Sequence, residues 1–257
     1  MADTPTGEDL AAIAAGGWGY TESTWIDGWQ LRAGGGFTHR ANSAWPIDPL
    51  SRPLTDVLPE VRAWYAERGL PALVNVVEGG PLDLELARLG YGETSHAALR
   101  QSARVDDVLD VLLEVAPIGV TETFADAPDD LWLLLYRDGD LPSVAGEILG
   151  SGDTVRYATV FDPRSGEPLA IGRAALAVRP GDDGPARWAG LAAIETAPAA
   201  RRRGLAKLVV DGLLEWAADH GATDAYLEVS PDNTPALKLY ESLGFTTHHT
   251  YHYRVIG

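Results

Sequence analysis

The chain has 257 residues, 46% hydrophobic and 22% charged, long enough for one large domain or two small ones with a sizeable core. It has no cysteine, which excludes disulfides, thiolate metal sites and a cysteine nucleophile. The formal net charge of −17 disfavours nucleic acid and anionic membranes as partners and favours cationic small molecules or peptides.

The first ten residues, MADTPTGEDL, lack a basic start followed by an apolar run, so no signal peptide is expected. No stretch approaches the roughly 20 apolar residues of a membrane span, and the expected location is cytoplasmic. A short helix is expected over 8–15, broken by Gly16, Gly17 and Gly19. Two strands, 29–32 and 38–46, flank Gly34-Gly35-Gly36, which reads as a hairpin turn because it lacks a P-loop lysine. Apolar residues at Leu54, Val57, Leu58, Val61, Trp64 and Tyr65 have helical spacing, closed by Gly69. A strand over 73–77, a helix over 81–89 and a strand over 93–100 follow. A linking helix is expected within 104–117.

The second half begins with a strand at 120–124 and helices at 129–137 and 142–149. Strands follow at 155–161, 169–178 and 188–196. A helix over 203–220, a strand over 225–230, a helix over 234–243 and a strand over 246–255 complete the chain. This order gives an α/β class, an α+β arrangement around a mixed sheet. Glu85–His96 (ELARLGYGETSH) echoes Leu239–His249 (LYESLGFTTHH), each reading as helix end, Leu-Gly-aromatic, then strand. Both follow the order helix, strand, helix, which points to a duplication.

The chemistry concentrates between Trp188 and Phe245. After the strand ending at Thr196, Pro198 cannot continue a ladder, and Arg201-Arg202-Arg203-Gly204-Leu205-Ala206 opens a helix. A strand–loop–helix start directs unpaired amides and the positive end of the helix dipole outward, which suits a pyrophosphate. Gly204 allows close approach, Ala206 keeps the next turn thin, and the arginines add charge. A basic helix start that only tethers a surface would look similar, so the turn alone leaves both readings open.

The downstream segment decides between them. Pro198-x-x-Arg201-x-x-Gly204-x-Ala206 is followed by Leu227-Glu228-Val229 and then Asn233-x-x-Ala236-x-x-x-Tyr240-x-x-x-Gly244-Phe245. Together these resemble the GNAT (Gcn5-related) N-acetyltransferase superfamily. The match covers the last quarter of the chain and extends by element order back to about Val120. The resemblance implies a complete acetyl-CoA-binding GNAT domain over 116–257. Residues 1–115 would be a degenerate GNAT-like half without the phosphate loop, as in tandem proteins, shaping the acceptor site. It implies that strands 188–196 and 225–230 splay. Acyl-pantetheine would pair with the backbone of Ile194, Glu195 and Thr196. The pyrophosphate would lie against Arg201, Arg202, Arg203, Gly204, Leu205, Ala206 and Lys207, with Asn233, Ala236 and Tyr240 along the cofactor arm.

Acetyl transfer to an amine needs a neutral amine, a stabilised oxyanion and a proton for the leaving thiolate. The resemblance gives Tyr240 the last task. It makes Glu228 the first candidate base and Glu195 the second, with the backbone N–H near Thr196 polarising the carbonyl. His248, His249 and His252 lack ligand spacing for a metal, and no metal is expected. The expected function is an N-acetyltransferase acting on a primary amine of a small molecule or peptide, with a cationic acceptor favoured by the net charge. The alternatives are a non-catalytic acyl-CoA sensor and a thiol-precursor acetyltransferase of the mycothiol synthase kind.

Overall fold

A computed structural model describes residues 5–113, 119–152, 154–185 and 187–257. Among the described residues, eleven strands form one sheet, flanked on both faces by helices. Helix α1 (Gly7–Gly16) starts at a capping box in which Thr6 and Asp9 satisfy each other's backbone amides. Strands β1 (Glu22–Ile26) and β2 (Trp29–Ala33) form a two-residue hairpin at Asp27-Gly28, both with positive φ. That is the geometry Asp-Gly favours. β1 was not expected from the sequence. The strand expected over 38–46 is only the short β3 (Ala44–Pro46). The preceding residues form a loop held by Asn42, whose side chain accepts from the Gly34 and Gly36 amides and donates to the Phe37 and Thr38 carbonyls. A side chain that satisfies four backbone groups removes the need for a ladder.

Helix α2 (Leu54–Ala66), β4 (Leu73–Val77), α3 (Pro81–Arg88) and β5 (Thr94–Arg104) complete the first set of elements. α4 (Val105–Leu112) fills the linking helix expected within 104–117; the rest of that span, with the expected division at 115/116, lies outside the described residues. β6 (Thr121–Ala125), α5 (Asp130–Leu135) with a 3₁₀ turn at Tyr136–Gly139, and α6 (Ala145–Gly150) follow. Then come β7 (Val155–Phe161), β8 (Pro168–Ala177), β9 (Trp188–Thr196), α7 (Leu205–Asp219), β10 (Asp224–Val229), α8 (Thr234–Ser242) and β11 (Thr246–Val255).

The strand order is β1-β2-β3-β4-β11-β5-β10-β9-β8-β7-β6. The order β3-α2-β4-α3-β5 recurs as β9-α7-β10-α8-β11, in keeping with the sequence repeat. The last strand of each set crosses over. β5 pairs with β10 and β11, and β11 pairs with β4 and β5. The two sets therefore share the middle of one sheet.

The largest core lies between the sheet and α4, α7 and α8, centred on Leu208, Val209, Leu213, Leu227 and Leu243. α7 can sit close because Gly172 of β8 faces Val209 and Leu213; a Cβ there would come within 2.4 Å of a Val209 methyl. A second core packs Trp29, Val57, Val61, Tyr65, Val74 and Leu86. On the opposite face, Trp132, Tyr136, Ile148, Tyr157 and Ile171 join Trp18 and Phe37.

Candidate active site

β9 and β10 run parallel, paired from Asp224↔Trp188 to Leu227↔Leu191, and then part. β9 continues five residues further, to Thr196, paired with β8. Ala193 has φ 53, and the β8 register shifts there. A bulge of this kind bends one strand away from its neighbour and re-aims the side chains after it. Residues Ala192 to Thr196 are half-buried although the strand lies inside the sheet. The parting leaves a slot beside β9, and the main-chain groups of Ile194 and Thr196 lie on its edge away from β8.

Below the slot, Pro198–Ala200 make a 3₁₀ turn, Arg202 has φ 63, and Gly204 caps α7 with φ 79. Among the described residues, no carbonyl or side chain accepts from the backbone amides of Arg201 to Ala206, whereas Lys207 donates back to Gly204. No atom would lie within 4 Å of a Cβ on Gly204, so the space above it is open. Arg201, Arg202 and Arg203 are exposed, and Arg201 Nε donates to the Thr196 carbonyl at 3.3 Å. Free amides, a helix dipole and three guanidiniums in open space fit a pyrophosphate.

Asn233 caps α8, its side-chain oxygen accepting from the Ala236 amide at 3.2 Å. That leaves its NH2 group as a donor toward a ligand. Tyr240 is buried in the α7–α8 core against Phe245. Burial pushes its hydroxyl well above the ordinary tyrosine range, so it stays protonated at neutral pH.

The two glutamates differ sharply. Glu228 lies one residue beyond the last β9–β10 pair, with only 8% of its side chain exposed. Its Oε1 accepts from Arg100 Nη2 at 2.6 Å, and its Oε2 accepts from the Tyr251 hydroxyl at 2.9 Å and faces Arg40 Nη1 at 3.2 Å. Burial opposes the charge, but the Arg100 and Arg40 guanidiniums outweigh it and hold the carboxyl below its usual range. Arg100 also donates to His249 Nε2 at 3.0 Å, so that nitrogen is the unprotonated one. Burial and Arg100 lower His249 to about 3. Its Nδ1–H then donates to His248 Nδ1, and His248 Nε2–H to the Pro5 carbonyl. His252 serves elsewhere, paired with Asp83 beside Arg254 on the α3 side.

Glu195 is half-buried, and its Oε2 accepts from the Arg137 amide at 3.0 Å. Its cross-strand partner Ile171 packs in the Trp132–Tyr157 core, while Ile194 packs toward α7. Glu195 therefore shares the sheet face of Glu228, on the side away from α7. Sequence reading missed Arg40, Arg100, Arg173 and Trp18 on this face. No local motif marks them, because they meet only when β5 and the loop after β2 reach the second set of strands.

A mixed sheet in which parallel strands β9 and β10 part above a free-amide helix start is the arrangement of the GNAT fold. Residues 8–254 match the family described as "Probable histone acetyltransferase Rv0428c C-terminal", and the chain belongs to that family. It is 36% identical over 247 residues to the probable histone acetyltransferase Rv0428c of Mycobacterium tuberculosis, covering 93% of this chain and 70% of that protein. An uncharacterized N-acetyltransferase, YobR of Bacillus subtilis, is 27% identical over 252 residues, covering 96% and 97% of the two chains. Among solved structures, a GCN5-related N-acetyltransferase from Kribbella flavida superposes with a TM-score of 0.65 at 17% identity, covering 96% and 92%. A tandem GNAT protein from the clavulanic acid biosynthesis pathway gives 0.60 at 16%, covering 84% and 75%.

Proposed function

We propose that this protein is an N-acetyltransferase that moves an acetyl group from acetyl-CoA to a primary amine by direct attack in a ternary complex. The observation that carries this is the parting of β9 and β10 directly above the Arg201–Ala206 turn. Acetyl-CoA supplies the activated acyl thioester. In this reading Arg202 to Lys207 hold its pyrophosphate and the backbone of Ile194 to Thr196 pairs with its amides, adding an extended strand to the sheet. Tyr240, protonated at neutral pH, gives the departing sulfur a proton.

Of the two glutamates, we assign proton acceptance from the amine to Glu195. A carboxylate already shared by two guanidiniums and a phenol, as Glu228 is, has little basicity left. Glu228 orders the floor of the acceptor side instead.

Calorimetric titration of acetyl-CoA tests the cofactor assignment. Wild type is expected to bind, while Gly204→Glu and the double variant Arg202→Glu/Arg203→Glu are expected to fold and lose binding. A folded wild type without affinity overturns the assignment. An amine panel with thiol-release detection then separates an enzyme from a sensor: binding without turnover of any amine would make the chain a sensor.

A further inference from the structure

The face of the sheet opposite α7 carries an unusual charge imbalance. Arg32, Arg100 and Arg173 are at most 1% exposed, and Arg40 has 23% of its side chain exposed. Among the described residues, one carboxylate, Glu228, pairs with any of these four. Arg173 is held by neutral acceptors, the carbonyls of Gly17, Leu149 and Ser151 and the Tyr157 hydroxyl. Arg32 donates to Gln30 and to the Trp18 carbonyl. Arg40 stacks on the Trp18 ring at 3.6 Å, and Arg173 lies 5.2 Å from the same ring. Four guanidiniums share this face with two carboxylates, Glu228 and Glu195, so the layer carries more arginine than acid inside a chain of net charge −17.

Such an excess is costly to bury unless something offsets it. Arg32, Arg100 and Arg173 are fixed and sealed. Arg40 is the one of the four that reaches solvent, and its partner Glu228 stands where β9 and β10 part. An arginine fork engaged at one nitrogen keeps donors for a second anion.

We propose that Arg40 binds a carboxylate of the acceptor, so that the substrate is an amine that also carries an acid group, such as an amino acid or an acidic peptide. This rests on the acetyltransferase reading above and reverses the cationic acceptor suggested by net charge. The long-range field of the acidic surface and the local field at the fork have opposite signs, and the group in contact decides specificity.

The test is a set of matched acceptors, glycine, L-alanine and L-glutamate beside their carboxamides, with spermidine as a cationic control. The acid of each pair is expected to have the larger kcat/KM by about tenfold or more, the usual range for a hydrogen bond to a charged group. Arg40→Gln is expected to bring that ratio toward one, chiefly through KM, and Arg40→Lys to restore part of it. Equal use of acid and amide, preference for spermidine, or equal losses on both members of a pair in Arg40→Gln would overturn the proposal. If no acceptor turns over, thermal shifts of the CoA-saturated protein with the same compounds give the readout. Stabilisation by the acids but not the amides, lost in Arg40→Gln, supports the proposal, and no difference overturns it. Failure of acetyl-CoA itself to bind would reject the acetyltransferase reading separately.

Discussion

Tyr240, Glu195 and Glu228 were all legible in the sequence as candidates, but their roles part once their surroundings are known. Replacing Tyr240 by phenylalanine keeps the core contact with Phe245 and removes the donor. Turnover is expected to fall by about 10²-fold, the lower range for losing a general acid, with acetyl-CoA affinity retained. Steady-state kinetics beside calorimetry checks this. Glu228→Gln should behave differently, because it leaves Arg100 buried without its counter-charge. A loss of about 3 kcal/mol is expected, read by urea unfolding. The sign of the pH effect follows from the same pairing. Glu228 titrates below its unfolded value, so its contribution is complete above the ordinary carboxylate range, about pH 4–5, and disappears as pH falls through the lower folded value. Unfolding midpoints measured from pH 7 to pH 3 should therefore drop less in Glu228→Gln than in wild type.

At the scale of elements, α7 is the piece whose placement matters most, since its first turn forms the phosphate loop. Gly172→Ala would drive a methyl against Val209, Ile194 and Leu213. A loss of about 1–3 kcal/mol is expected from overpacking, with weaker acetyl-CoA binding because the loop and Ile194 move together. Thermal denaturation and calorimetry on one preparation test both parts. The helices and strands of the second half were readable because 3.6- and two-residue periodicities are strong there. β7, β9 and β11 begin and end where those patterns do. β1 was missed although Asp27-Gly28 is a hairpin signal, because Ser23, Thr24, Trp25 and Ile26 lie half-exposed or exposed on an outer strand and show little alternation. The loop after Gly36 was misread because its order comes from one side chain, Asn42. Spacing alone put Glu195 and Glu228 on the list. Nothing local in sequence reveals that Arg100, 128 residues away, neutralises one of them.

For the whole molecule, the crossing of β5 and β11 predicts that the two sets of elements do not separate. Each places its final strand between strands of the other. Calorimetry is expected to show one transition with equal calorimetric and van't Hoff enthalpies. Removing residues 246–257 should unfold the first half as well as the second, since β4 and β5 lose their common neighbour. Circular dichroism of the truncated chain would reveal a surviving half if the crossing were energetically minor.

The same crossing has a temporal side. A ribosome releases β5 long before β10 and β11 exist, so both edges of β5 stay unsatisfied while well over a hundred further residues are made. Exposed strand edges recruit wrong partners, and pairings this distant form slowly. Synthesis thus passes through a vulnerable interval that closes only when the last strand slots into the centre. Chaperone dependence should be set by the time that strand takes to arrive.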